Sequence, residues 1–294
     1  MSTFSTCTST SRPGSVANPT APTDGDVLFE TDTKNVIVWD GSAWYGYDYD
    51  DTTAFTNRYK LTFDGNGDYA TTAYYQPSTT AISYSFWTNS SDTTSSMAWL
   101  STSPTSGNGG GFRVLSPSST KSFFALVSNG SSTYSNVSVG GTNAALAVRD
   151  GNWHHVVFSI SGTAIKIWID GGSGGSPTHT ATSSVSYVGN ATIPLYFGKN
   201  GANNSYYLNG SLDEVAVFEY ELSATQVANI YNNGTPVHVG SFGLNLSPAG
   251  YWRGGDNDNG TGSTVTDLGS GGNNATLSGN ASITGIGAGE SIYV

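Results

Sequence analysis

Paired carboxylates are the residues of this sequence that could hydrolyse a glycosidic bond, because that reaction uses two carboxyl groups on either side of the bond. Glu30 and Asp32 lie two positions apart, as do Glu219 and Glu221, and alternation along a strand would place each pair on one face. The first pair has no third acidic residue in positions 33–36, and the second flanks a predicted strand-to-helix turn. The sequence therefore predicts that the protein is not an enzyme.

The histidines and serines give no signal for a metal site or a nucleophile. His154 and His155 are adjacent, and neighbouring residues of a strand point to opposite faces, so the two cannot bind one ion together. No Ser-His-Asp arrangement is legible in the sequence, and no phosphate-binding or dinucleotide-binding glycine motif is present.

Two pairs of tyrosines beside polar loops are the candidate binding residues. They are Tyr74 with Tyr75 and Tyr206 with Tyr207. Aromatic faces pack against the CH groups of sugars, and nearby asparagines can bond to sugar hydroxyls. We therefore predict that these four residues bind carbohydrate; the alternative is ordinary packing in the core and rim of a β-fold.

A dense apolar hairpin at residues 152–171 is the element around which the rest of the chain is organised. Two runs of alternating apolar residues flank a short glycine-containing turn at residues 161–163. Five of their residues are predicted in or beside the core: Trp153, Val157, Ile165, Ile167 and Ile169. Further predicted strands lie before and after this hairpin at a spacing of about ten residues, which is typical of a β-sandwich.

One short helix is predicted near the end of this series of strands. Ser223 can cap its first turn and Gln226 can complete a capping box. Gly234 fits the left-handed position after the helix, and Pro236 prevents its continuation.

Three motifs in order resemble the laminin-G-like, concanavalin A-like jelly rolls of the lectins and glucanases. They are LTFDGNGDY at residues 61–69, WHHV at 153–156 with IDG at 169–171, and GSLDEVAVF at 210–218, which leads to LSA at 222–224 and IYNNG at 230–234. The first resembles the opening strand of the family, and the last its closing strand and short helix. The resemblance implies the fold but no single function, since this fold hosts lectins, glycosidases, adhesion modules and structural proteins.

Calcium is the one ion that the resemblance implies, because many members of the family hold it with loop carboxylates and carbonyls. The resemblance indicates Asp64 and Asp213 as the ligands. The turn at residues 64–68 offers oxygens at alternate positions but does not match an EF-hand loop. The alternative is that these acids cap turns through their own backbone, and no other cofactor is predicted.

Composition limits the partners. The net charge is −11 and no basic patch is present, so a nucleic acid partner is not expected. Cys7 is the single cysteine, so no intrachain disulfide can form. The first residues lack the apolar core of a secretory signal, and no apolar run is long enough to span a membrane. A surface composition like that of extracellular proteins, without an export signal, is typical of a phage virion protein made in the host cytoplasm; an ordinary cytosolic β-domain is the alternative.

The predicted fold is all-β: an antiparallel jelly-roll sandwich with one short helix near the end, plus a small N-terminal β-meander. Residues 1–23 form an extended N-terminal arm that is too polar to fold alone. Residues 24–57 form the meander, which resembles a short module of phage tail and capsid-associated proteins. Residues 58–235 form the jelly roll, and residues 236–294 a C-terminal extension packed on it.

The resulting hypothesis is a non-enzymatic phage virion structural protein, a capsid decoration, fibre or knob that displays its jelly roll on the virion surface. The N-terminal region would contact other virion proteins, and the chain would assemble as a homo-oligomer or a symmetric array. A carbohydrate-binding adhesin that attaches to host surface glycans is the alternative, and a glucanase-like glycoside hydrolase is the third hypothesis.

Overall fold

The chain divides into two compact units, Met1–Thr56 and Asn57–Val294. The computed structural model describes residues 5–8, 21, 23, 27–30, 35–39, 44–48, 57–75, 79–102, 111–129, 133–189, 194–201, 205–240, 244 and 246–287. In this part of the chain, no helix has the length and apolar character needed to cross a membrane.

The N-terminal unit contains a four-stranded sheet in the order β1-β2-β3-β4. Its strands are β1 (Ser5–Cys7), β2 (Val27–Glu30), β3 (Asn35–Trp39) and β4 (Trp44–Asp48). Strands β2, β3 and β4 form the predicted antiparallel meander, and β1 adds to it in parallel. The sequence predicts an extended arm for residues 1–23, whereas the structure places Ser5–Cys7 in the sheet. Backbone hydrogen bonds hold such a strand, so its polar side chains gave no signal.

The larger unit is a sandwich of two mainly antiparallel sheets, as the sequence predicts. Its strands are β5 (Tyr59–Asp64), β6 (Tyr69–Tyr75), β7 (Ala81–Asn89), β8 (Met97–Ser101), β9 (Phe112–Ser116), β10 (Phe123–Ser128), β11 (Tyr134–Val139), β12 (Trp153–Ser161), β13 (Ala164–Ile169), β14 (His179–Thr182), β15 (Pro194–Phe197), β16 (Asn209–Phe218), β17 (Gly250–Trp252), β18 (Thr264–Val265), β19 (Ala275–Ser278) and β20 (Ser282–Gly285). The front sheet has the order β11-β10-β9-β8-β15-β6-β19-β18. The back sheet has the order β14-β13-β12-β7-β16-β5-β20, and β17 pairs with β16.

The predicted hairpin at residues 152–171 is confirmed as β12 and β13, and it lies in the back sheet. Ile165 and Ile167 are buried in the core between the sheets, and Ile169 packs against that core. Trp153 and Val157 are also buried, but on the opposite face of the sheet. Both faces of this hairpin are therefore covered, which explains its unusually continuous apolar sequence.

The helix α1 (Ala224–Tyr231) covers part of that opposite face. Val227 and Ile230 belong to the same buried cluster as Val157. The predicted capping box is confirmed, because the Ser223 hydroxyl accepts from the Gln226 amide and the Gln226 side chain accepts from the Ser223 amide. The residue after the helix in the left-handed conformation is Asn232, and Gly234 ends the short 3₁₀ turn that follows.

One predicted strand is wrong. Residues 185–188 form no strand; Val188 makes only an isolated bridge to Asn129, and the strand lies earlier, at His179–Thr182. Tyr187 lies in a loop, but its side chain is buried in the core. The sequence around it therefore alternates between buried and polar residues as a strand would. The segment after residue 236 supplies β17, β18, β19 and β20, and it is therefore part of both sheets.

Candidate functional site

The outer face of the front sheet carries a continuous row of side chains that comes from strands distant in sequence. The pairing registers align Arg113 with Ser101, Ser101 with Tyr196, Tyr196 with Thr71 and Thr71 with Thr276. Neighbouring strands lie about 4.8 Å apart, so Arg113 and Tyr196 are separated by roughly 10 Å across the sheet. The core-facing neighbours of this row, such as Phe112 and Phe197, hold its strands in place.

A lysine lies against two tyrosines at the centre of this row. The Nζ atom of Lys199 lies 3.6 Å from the ring centroid of Tyr69 and 4.7 Å from that of Tyr196. The two rings meet edge to face, with centroids 6.0 Å apart. An ammonium group over an aromatic face is held by the ring quadrupole. Lys199 is only 5% exposed, so the two rings fix the position of its charge.

Arg113 places a second cation on the same face. Its Nη1 atom donates to Oδ1 of Asn200 at 3.2 Å, while its Nε atom has no hydrogen-bond partner. Burial lowers the pKa of the Arg113 guanidinium, and interaction with Tyr206 and Tyr134 opposes that change. We call Tyr69, Tyr196, Lys199, Arg113 and Asn200 the tyrosine face.

Of the four predicted carbohydrate-binding residues, Tyr206 lies next to the tyrosine face. It has a left-handed backbone with φ of 58°, and its carbonyl accepts from the amide of Ala98 at 2.7 Å. Its side chain is half-buried, and the preceding residue Ser205 pairs with Asn200 of the tyrosine face. Tyr207 is also half-buried, whereas the side chain of Tyr75 lies outside the described residues.

The prediction for Tyr74 is wrong, because this residue is 3% exposed and belongs to the core. Its hydroxyl donates to Oε1 of Glu219 at 3.1 Å, and burial raises its pKa above the ordinary value. Alternation along β6 places adjacent residues on opposite faces, so a pair of consecutive tyrosines in a strand cannot form one platform.

The two predicted calcium ligands do not meet. Asp64 pairs with Asn209 of β16. Asn209 lies four residues before Asp213, so the two predicted ligands are about 13 Å apart along the strand. Asp64 accepts from the amide of Asn66 at 2.8 Å and from the side chain of Asn280 at 3.1 Å. These contacts cap the turn and lower the pKa of Asp64, Asn280 having the larger effect. Asp64 thus follows the turn-capping alternative.

Asp213 is wholly buried next to Glu214. Burial raises its pKa well above the ordinary value, and the charge of Glu214 raises it further. Glu214 lies at a bulge of β16, where it has a left-handed backbone with φ of 47°. It accepts from the hydroxyl of Tyr251 and, at 3.1 Å, from Nε of Arg253. Burial raises the pKa of Glu214 to about 7, although Arg253 and Tyr251 oppose that rise.

No group of three or more histidine, cysteine or acidic side chains that could hold a metal ion occurs within the described ranges. The acidic cluster around Glu214 contains its own cation, Arg253, which also lies 3.7 Å from Asp256. An arginine among the carboxylates fits an internal ion-pair network, and the residues present do not fit a calcium site.

Of the two acidic pairs considered for catalysis, Glu219 and Glu221 have structural partners. Glu219 accepts from Tyr74, and Glu221 accepts from Nζ of Lys166 at 2.5 Å. The backbone of Glu30 lies in β2 of the N-terminal unit, and Asp32 lies outside the described residues.

The histidines follow the predicted alternation. His155 is fully buried and bonds to the Ser85 hydroxyl at 2.9 Å, and burial lowers its pKa to about 4. His154 is part-buried and bonds to Asp170 at 2.8 Å. Burial alone would lower the pKa of His154, but Asp170 and Asp150 raise it above its ordinary value.

The comparisons with known proteins agree with this architecture. A family model described as the concanavalin A-like lectin/glucanases superfamily matches residues 64–228, more than half of the chain. The chain belongs to this superfamily. Its jelly roll, predicted from three short motifs, is thereby confirmed. A search of curated proteins found no significant match.

Several solved structures are similar to this superfamily member at low sequence identity. A Bacteroides ovatus protein named "putative carbohydrate binding protein" is 14% identical with a TM-score of 0.55, and the match covers 91% of this chain and 71% of that one. Domains LG4-5 of the mouse laminin α1 chain are 17% identical with a TM-score of 0.39, and cover 61% and 44%. Tailspike protein 2 of an Escherichia coli O157:H7 bacteriophage is 14% identical with a TM-score of 0.43, and covers 65% and 30%.

Proposed function

We propose that the jelly roll is a non-enzymatic carbohydrate-binding module and that the tyrosine face is its binding surface. The observation that carries this proposal is the group of aromatic and cationic side chains on the outer face of the front sheet. Tyr69 and Tyr196 offer ring surface for sugar CH groups. The name of the Bacteroides ovatus protein, whose match spans most of this chain, supports the same function.

A glycan array that includes bacterial surface polysaccharides tests this proposal, followed by calorimetry with the best ligand. Tyr196→Ala should weaken binding at least tenfold, which corresponds to about 1.4 kcal/mol. Tyr231→Ala is the matched control, because Tyr231 is half-buried against Trp87 and His155 of the back sheet. Failure to bind any glycan, or equal affinity of Tyr196→Ala and the parent protein, would contradict the proposal.

The bound glycan should remain intact, since Glu219 and Glu221 are engaged by Tyr74 and Lys166. Release of reducing ends that follows the purified protein and disappears in Glu219→Gln would instead indicate a hydrolase.

A second proposal is that the N-terminal unit attaches the jelly roll to a virion. The separate sheet of Met1–Thr56 favours this role, because a unit with its own strands can serve attachment independently of the jelly roll. Pairing at the outer strands β1 and β4 of its sheet would join it to neighbouring copies or other virion proteins through backbone hydrogen bonds. The expected product is a symmetric array on the particle surface.

Deletion of Met1–Thr56 tests the attachment proposal. The remaining chain keeps both sheets of the sandwich, so it should fold with an unchanged far-ultraviolet β-spectrum and should no longer associate with particles. Mass spectrometry of purified particles gives the occupancy, and the full-length chain is the control. Full occupancy by the truncated chain would place the attachment surface in the jelly-roll unit.

A further inference from the structure

The two cations of the tyrosine face lack the carboxylate partner that three other basic residues have. Three basic residues of the described chain each pair with a carboxylate: Lys166 with Glu221 at 2.5 Å, Arg253 with Glu214 at 3.1 Å and Arg149 with Asp92 at 3.7 Å. Within the described residues, neither Lys199 nor Arg113 has a carboxylate within 4.0 Å. Two cations without acidic partners are unexpected in a chain with a net charge of −11.

The chemistry of the two cations is complementary. Arg113 uses Nη1 for Asn200 and leaves its buried Nε atom without a partner, so one edge of its guanidinium fork is uncommitted. That edge matches a planar carboxylate, which can accept two parallel hydrogen bonds. Lys199 adds a point charge whose position is fixed by the rings of Tyr69 and Tyr196.

The two cations act on a ligand at short range. The overall negative charge of the protein acts weakly over distances longer than the Debye length, which is about 8 Å at physiological ionic strength. A short-range contact with an anion is therefore favourable here, although a long-range attraction is absent.

We propose that the tyrosine face selects a sugar that carries a carboxylate, such as a uronic acid or a sialic acid. This inference rests on the proposed carbohydrate-binding function and specifies its ligand class. The sugar ring packs on the tyrosines, and its carboxylate accepts from Arg113 and lies near the Lys199 ammonium.

The test compares acidic oligosaccharides with the same oligosaccharides after reduction of their carboxyl groups to alcohols. The parent protein should bind the acidic form at least tenfold more tightly, and its advantage should shrink as salt is raised. Lys199→Met should remove most of that advantage, measured as the ratio of the affinities for the acidic and the reduced form. Lys166→Met, which removes a basic residue of the back sheet, is the matched control and should bind like the parent.

Arg113→Lys is a second variant that retains the charge and the fold but removes the guanidinium fork. Because a lysine cannot form two parallel hydrogen bonds with a carboxylate, it should also lose most of the preference for the acidic form. Equal binding of acidic and reduced forms by the parent would overturn this inference and leave the carbohydrate-binding function intact. A preference for sulfated sugars over carboxylated ones would also overturn it, and failure to bind any sugar would overturn both proposals.

Discussion

Replacing Arg149 with Ala should lower the free energy of unfolding by about 3–5 kcal/mol, the range for removing one partner of a buried ion pair. Arg149 is a fully buried residue. Its Nε atom donates to the carbonyl of Asp92 at 2.5 Å, Nη1 to the Ser116 hydroxyl at 3.1 Å, and Nη2 to the carbonyl of Ser95 at 2.8 Å. The substitution leaves these buried oxygens without a donor and opens a cavity of the size of the side chain.

Chemical denaturation measures this effect. An unchanged slope of the free energy of unfolding against denaturant concentration would show that the two-state transition is retained. Arg58→Ala is the control, because Arg58 is exposed and its substitution should change stability by less than about 0.5 kcal/mol. Arg149→Lys should recover only part of the loss, since one ammonium cannot reach all three oxygens. A loss below about 1 kcal/mol for Arg149→Ala would show that the loop at residues 92–95 holds its position without the guanidinium.

The elements that could be predicted from the sequence are those whose signals are local. The hairpin β12–β13 follows from alternation of apolar residues over short runs, and the helix from Ser223 and Gln226, which cap it three residues apart. Both sets of contacts lie within a few positions of one another. The strand expected at residues 185–188 failed because a loop residue, Tyr187, fills the core without pairing in a sheet.

The candidate site could not be predicted because strand register assembles it. Arg113, Tyr196 and Tyr69 belong to β9, β15 and β6, and only the order of strands in the front sheet brings them together. A partial signal existed in β15, where Leu195 and Phe197 face the core and Tyr196 must therefore face outward. The sequence-based prediction chose pairs of adjacent tyrosines instead, although adjacent residues of a strand point to opposite faces.

The acidic pair Asp213 and Glu214 shows a different limit. The family resemblance indicated Asp213 as an ion ligand. In the structure its neighbour Glu214 lies at a bulge of β16 and bonds to Tyr251 and Arg253, so this acidic pair belongs to a buried network. The partners come from a segment almost 40 positions away, after the helix. No local pattern in β16 identifies them.

Raising the pH from about 4.5 to about 7 should destabilise the protein through Glu214. Burial raises the pKa of this carboxyl to about 7 in the folded state, from an ordinary value of 4.5. The folded state therefore holds this proton more tightly than the unfolded state, so the stabilisation is complete below pH 4.5 and is lost as the pH rises to about 7. Each unit of difference between the folded and the unfolded pKa corresponds to about 1.4 kcal/mol, so the stabilisation that is lost is about 3 kcal/mol.

Glu214→Gln should remove this part of the pH dependence, because the amide has no proton to release in this range. The measurement is the free energy of unfolding at pH 5 and pH 8 for the parent and the variant, so that contributions from other groups are subtracted. Those groups include His154, whose raised pKa acts in the same direction, and His155, whose pKa of about 4 acts in the opposite one. Glu221→Gln makes the same substitution at a partly exposed glutamate and should keep the slope of the parent. Equal slopes for Glu214→Gln and the parent would mean that Arg253 keeps Glu214 ionised throughout, as an ordinary internal ion pair.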